Sequence, residues 1–201
     1  KDFRDPIELT FFKTAPDQLT PQNLGNSIVY GIEAELRKNL AFILEDLKYL
    51  QFNLNLSLVQ SKLTMSDSEY ERRLLSARDG ETIEKSRKLQ GQAPYLINAG
   101  LDYSNTEKGL QFGLFFNVQG ESLEVVGTGV VPDVYSRPFK GLDMTASKSF
   151  GAQQNSKLSL KISNILNEKR ESVYQSFGAQ EQLFSQRQPG SALSINYSLK
   201  F

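Results

Sequence analysis

From Ala192 to Phe201 apolar and polar side chains take turns without a miss. Leu193, Ile195, Tyr197, Leu199 and Phe201 alternate with Ala192, Ser194, Asn196, Ser198 and Lys200. A helix of 3.6 residues per turn would scatter both sets around its axis, so a period of two means a strand with two unlike faces. Residues 110–119 repeat the pattern: Leu110, Phe112, Leu114, Phe116 and Val118 oppose Gln111, Gly113, Phe115, Asn117 and Gln119, with Phe115 alone breaking the polar row. Residues 51–58 set Phe52, Leu54, Leu56 and Leu58 against Gln51, Asn53, Asn55 and Ser57. Weaker alternation runs through residues 28–37, 95–103, 142–146 and 158–162, and Ile7, Leu9 and Phe11 suggest a first strand, making about eight.

The connections between these strands alternate in length. Residues 13–26, 64–92, 125–138 and 175–190 are long, whereas residues 38–47, 104–109 and 150–156 are short. Up-and-down membrane barrels have this asymmetry, with brief turns at the inner rim and extended loops outside. The last strand then runs inward. About 10 residues at roughly 3.3 Å each, tilted by about 45°, span roughly 23 Å, close to the apolar band of about 25 Å of an outer membrane. Aromatic side chains gather toward both ends of the apolar faces: Phe52, Tyr103, Phe112, Phe150 and Phe201 near the inner rim, Phe11, Tyr30 and Tyr95 near the outer. Interfacial girdles have this form.

A spanning helix needs about 20 consecutive, mainly apolar residues. The longest run free of charged residues, 18–32, is broken by Pro21, Asn23, Gly25 and Asn26, so any crossing is made by strands. A mean hydropathy of -0.40 is compatible with that, because a barrel strand shows lipid only every second side chain. Alternation also fits a soluble β-sandwich, such as a carbohydrate-binding module. Ten-residue strands, alternating loop lengths and a polar face rich in Asn, Gln and Ser favour the barrel.

The chain has no histidine or cysteine, which removes His-dependent nucleophilic triads, thiolate metal sites and disulfides. Lysine plus arginine total 23 and aspartate plus glutamate 23, a balance that argues against a nucleic-acid groove. No enzyme, cofactor or metal is expected. Gly127-Thr128-Gly129 lacks the third glycine of a dinucleotide fingerprint, Pro132 standing nearby, and reads as a loop turn. Ser66-Asp67-Ser68-Glu69-Tyr70-Glu71 clusters oxygen ligands suited to calcium, but Ser66 with Glu69, or Ser68 with Glu71, also spells a capping box for a short helix through about Ala77, the favoured reading. Glu33, Glu35 and Arg37 share a face and read as a solvated lumen wall. The sequons at Asn55 and Asn196 lie inside strands and read as chance matches. Lumen-facing candidates are Asn53, Asn55, Gln111, Asn117, Gln119, Lys161 and Asn196.

The alternating terminus, Leu193, Ile195, Tyr197, Leu199 and a final Phe201, resembles the C-terminal signal of outer-membrane barrels that is read by the barrel-assembly machinery. The runs RKLQGQAPYLINAGLDY at 87–103, GLQFGLFFNVQGESLEVVGTGVVPDVYSRPF at 109–139 and LKISNILNEKRESVYQ at 160–175 are similar to the last strands of TonB-dependent outer-membrane receptors. The group with an N-terminal carboxypeptidase-regulatory-like domain is the nearest in pattern. That resemblance implies an all-β, antiparallel up-and-down transmembrane barrel of about 22 strands, of which residues 1–201 form the C-terminal part. It also implies a plug and TonB-contact segment in a preceding N-terminal part, nutrient import energised through TonB, and for some relatives a surface lipoprotein partner. It carries no substrate residue onto these positions. The competing reading is a receptor-like barrel acting as a structural or docking subunit of an outer-membrane complex. Because Lys1 opens almost directly on a strand-like run without an export signal, a longer reading frame is expected before it.

Overall fold

The computed structural model describes residues 1–12 and 15–200. In chain order its elements are β1 (Asp2–Arg4), β2 (Ile7–Phe12), β3 (Ala15–Asn23), β4 (Asn26–Asn39), β5 (Leu50–Thr64), α1 (Asp67–Leu75), β6 (Ser86–Arg87), β7 (Tyr95–Asn105) and β8 (Leu110–Gln119). They continue with β9 (Ser122–Val125), β10 (Asp133–Ser136), β11 (Phe139–Phe150), β12 (Ser156–Ser163), β13 (Arg170–Gln175), β14 (Gln182–Arg187) and β15 (Ala192–Leu199). The main sheet runs β1-β4-β5-β7-β8-β11-β12-β15, with β6 added to the outer end of β5, and every pairing in it is antiparallel. Each long strand lies beside the next one in sequence, which is up-and-down topology.

The register turns separate alternations into continuous bands. Leu36 faces Leu54, Leu54 faces Ala99, Ala99 faces Phe116 and Phe116 faces Leu142. Farther on, Met144 faces Ile162 and Ile162 faces Leu193. A one-residue slip at any seam would put these side chains on the polar face, so the band itself enforces the register. Among the described residues no second sheet covers it: Ile32 is 73% exposed and Ile195 68%. The sandwich reading fails here, because the buried apolar residues, Leu123 and Val134 among them, all cluster at the loop end of the strands. No helix among the described residues is long and apolar enough to cross a membrane.

Three expectations need correction at the loop end. Residues 7–11 are not a wall strand: β2 pairs only with β3 in a separate hairpin, and the wall segment there is β1, paired with β4. In that hairpin Ile7 stays 72% exposed while Glu8, at 1%, turns inward. A register shift beside Phe11 then brings that ring inward onto Val125, Val134, Tyr174 and Phe184, so Phe11 belongs to a core and not to an aromatic girdle. Finally, the long connections contain regular structure of their own. Segments of two of them, with the residues just before each, build a second sheet, β14-β13-β10-β9, and residues 13–26 contain β3.

Gly25 makes the junction between hairpin and wall possible. It has φ +73°, and a Cβ there would lie 2.0 Å from the Thr64 carbonyl oxygen, a contact only glycine avoids. At the other end, Asn39 closes the first inner turn: its Oδ1 accepts from Ala41 N at 2.8 Å and its Nδ2 donates to the Lys48 carbonyl at 2.7 Å.

If hydrocarbon solvates the apolar band, Leu56→Arg and Leu114→Arg should each cost about 2–4 kcal/mol in a lipid folding equilibrium. Asn55→Arg and Asn117→Arg should cost much less. Equal costs on the two faces would contradict the band's exposure to lipid.

Candidate functional site

The pairing register places all seven residues singled out from the sequence on the face opposite the apolar band. Asn55, Asn98 and Asn117 stand side by side on three strands. Gln111 faces Ser147, Ser147 faces Ser159, and Ser159 faces Asn196; Lys161 faces Thr145, and Gln119 faces Phe139. Asn53 is the most engaged: its Oδ1 accepts from Arg37 Nε at 3.2 Å and Gln51 Nε2 at 2.8 Å, and its Nδ2 donates to Asp102 at 2.7 Å. Gln111 Oε1 accepts from Lys157 Nζ at 3.1 Å and Ser147 Oγ at 3.2 Å. A hollow of about 590 Å³ opens over this face between Asp102, Gln111, Lys157, Lys161 and Asn196. Amides, hydroxyls and ammonium groups in such rows offer many weak hydrogen bonds that water or a solute can exchange, and no paired nucleophile and base.

Phe115, the apparent misfit on this face, has a local reason. A Cβ on Gly113 would come within 2.7 Å of its ring, and one on Gly100, directly across the strand pair, within 3.3 Å. The ring covers two positions that lack side chains, as aromatic residues do over glycines in sheets.

The outer cap is held by a chain of buried charges. Arg87 donates to both carboxylate oxygens of Glu8, at 3.0 and 2.7 Å, and through Nε to Glu69 at 2.7 Å. Arg73 reaches the same Glu69 oxygen at 3.2 Å and grips Asp133 through two bonds of 2.9 and 2.8 Å. Gln90 N adds a bond to Glu8 at 2.8 Å and Gly127 N one to Asp133 at 2.7 Å. The side chains of Glu8 and Glu69 are 1% and 2% exposed. Burial opposes charge on Arg87, yet its hydrogen bonds and charge contacts with Glu8 and Glu69 prevail and raise its pKa. For Arg73 burial is likewise overcome, chiefly by Asp133. Burial, with Asp133 close by, pushes the Tyr135 phenol up to about 12.

This network joins β2, α1, β6 and the start of β10, four segments far apart in sequence. Gln90 adds a neutral link. Its side-chain amide exchanges two hydrogen bonds with the Leu9 backbone and donates a third to the Glu124 carbonyl at 2.6 Å, bridging β2 and β9.

The helix favoured over a calcium loop forms, with Ser66 Oγ accepting from Glu69 N at 3.3 Å. Glu69 does not complete the capping box, because its carboxylate turns inward to the two arginines. In the Gly127 turn the Gly127 N–H donates to the Asp133 carboxylate. Among the described residues no group of three or more acids is arranged to hold a metal. The sequence reading missed the charge network. Its one legible trace was Glu8 inside the apolar run Ile7–Phe12, where an acid must be either exposed or paired. The terminal row Leu193, Ile195, Tyr197 and Leu199 shares one face of β15, and Phe201 lies outside the described residues.

A single antiparallel arc with a bare apolar face, a wet polar face and structure concentrated at one end is the wall of a membrane β-barrel. The chain belongs to the outer membrane protein beta-barrel family, whose model matches residues 16–198, and the outer membrane is its location. Among solved structures it is similar to the ferric citrate transporter FecA in its unliganded form, with a TM-score of 0.63 and 15% identity over 88% of this chain and 25% of that one. The copper transporter OprC gives 0.61 and 15% over 100% and 27%, and the ferric yersiniabactin uptake receptor FyuA from Yersinia pestis gives 0.59 and 14% over 90% and 25%. The chain thus spans about a quarter of each of these proteins. They are transporters and receptors, not enzymes, and the likeness to TonB-dependent receptor barrels seen in the sequence holds for the fold. No curated protein sequence matches.

Arg87→Met would leave two buried carboxylates short of their partner, a loss of about 3–5 kcal/mol. The expected result is rapid amide exchange and protease nicking in the cap while the wall strands keep their protection. An unchanged cap would mean that the network does not hold it.

Proposed function

We propose that residues 1–201 are the C-terminal part of an outer-membrane receptor barrel of about 22 strands that takes part in energy-coupled import of a scarce nutrient. The observation that carries this reading is the mainly polar face beneath a structured outer cap. In this reading Asn53, Asn55, Gln111, Asn117, Gln119, Lys161 and Asn196 line the lumen. The outer loops receive the solute, and an N-terminal part supplies the plug and the contact with TonB. The likeness to proteins described as transporters of ferric citrate and copper supports transport as the class of activity and leaves the solute open.

In the natural host, deletion of the gene should lower energy-dependent accumulation of at least one scarce nutrient, and an uncoupler should abolish the difference. Unimpaired growth on every limiting nutrient, together with copurification at fixed stoichiometry with another outer-membrane protein, would overturn import in favour of a docking subunit.

The row Leu193, Ile195, Tyr197, Leu199 and Phe201 serves, in the same reading, as the signal for the barrel-assembly machinery. Removing Phe201 should then lower surface levels in cells while the purified barrel still folds in detergent. Normal surface levels would remove that role.

A further inference from the structure

Where the outer sheet meets the polar wall lies a cleft of about 210 Å³, lined by Gln119, Glu124, Phe139, Arg170, Ser185 and Arg187 among others. Its floor has a regular origin. Ser122, Ser136, Ser172 and Ser185 stand opposite one another across β9, β10, β13 and β14. Next to this row Arg170 and Arg187 are direct cross-strand partners. Two like charges in that position repel each other unless a counter-charge joins them. Among the described residues neither arginine forms an ion pair.

The acids nearby are hydrogen-bonded elsewhere, and of them only Glu181 is neutralised by a cation. Glu124 accepts from the Ser172 hydroxyl, Glu171 accepts from Gln186 Nε2 at 3.0 Å, and Glu181 pairs with Arg137, the third arginine of the cleft. The Arg170 guanidinium is held in place by stacking, its central carbon 3.9 Å from the centre of the Phe139 ring. Stacking orients the guanidinium plane without neutralising its charge.

We propose that this cleft binds an oxyanion, a carboxylate or phosphate group of a small solute, between Arg170 and Arg187. Two arginines paired across the strands line one small space, and guanidinium groups recognise planar or tetrahedral oxyanions through charge-assisted hydrogen bonds. The cleft has room for such a group, and the polar wall beside it for the rest of a solute. Gln119 and Phe139, which face each other at the outer end of that wall, connect the two. The inference rests on the import reading only for the direction in which the solute travels.

The test uses the purified full-length protein in detergent, titrated calorimetrically with citrate and, separately, with inorganic phosphate. Wild type should bind at least one probe. Arg170→Gln/Arg187→Gln should weaken that binding at least about tenfold, the effect of losing one charge-assisted contact. Lys140→Gln removes one positive charge from the opposite face of β11 and should bind as wild type. Binding of citrate alone assigns a carboxylate, and binding of phosphate alone a phosphate ester. Without a probe, Arg187→Gln should melt no lower than wild type, because it relieves repulsion; a lower melting temperature would mean that the arginine serves the fold. Absence of binding by either probe, or equal binding by wild type and the double variant, would overturn the site. Uptake is measured separately: a protein that binds citrate through these arginines yet imports nothing would sink the import reading and leave the anion site standing.

Discussion

The backbone ladder is the constraint from which the rest follows. In hydrocarbon a peptide N–H or C=O without a partner costs several kcal/mol, and no water is available to supply one. Seven long strands, each paired with its neighbour in sequence, satisfy those groups along the wall. With the backbone satisfied laterally, the side chains are left to solve the two surfaces independently. One surface is smooth, apolar and bare; the other carries amides, serines and lysines that hydrogen-bond to one another across strands. Neither surface needs a packed interior, which is why so little of the wall is buried.

The cap follows different physics. There the chain leaves the sheet, water returns, and the usual demands of a globular core apply. Phe11, Leu123, Val125, Val126 and Val134 supply the apolar interior. The charge network of Glu8, Arg87, Glu69, Arg73 and Asp133 runs through it and joins segments that share no strand pairing with one another. Buried ion pairs add little net stability over well-packed apolar groups, but they penalise any arrangement that separates the partners. Their effect here is to select one arrangement of four loops over the many that an apolar core alone would accept. A cap held that way can present the Arg170–Arg187 cleft in a fixed position at the end of the polar wall.

The wall was largely legible in the sequence, because membrane strands carry their environment on alternate side chains and need no distant partner to be recognised. The strands over residues 51–58, 95–103, 110–119 and 193–199 appear where alternation put them, and the Ser66 cap starts the helix it predicted. The misreadings share one cause. Ile7, Leu9 and Phe11 alternate as well as a true wall strand does, yet β2 pairs with β3 outside the wall, and a bulge reverses which of its side chains are buried. Alternation states that a strand has two faces and is silent about which sheet it joins. Phe115 shows the reverse case: a residue that broke the pattern has its place because two glycines beneath it leave room.

By itself the sequence determined that the chain would be antiparallel β structure with one greasy and one wet face. It also determined that long and short connections would fall at opposite ends, since both properties are written locally, within ten residues at a time. Only the tertiary structure decided which strands form the wall, that two of the long connections contribute to one further sheet, and that five charged residues spread from position 8 to position 133 meet out of water. Those outcomes depend on contacts between segments remote along the chain. Such contacts are chosen by the energy of the whole assembly, which no single stretch of residues carries.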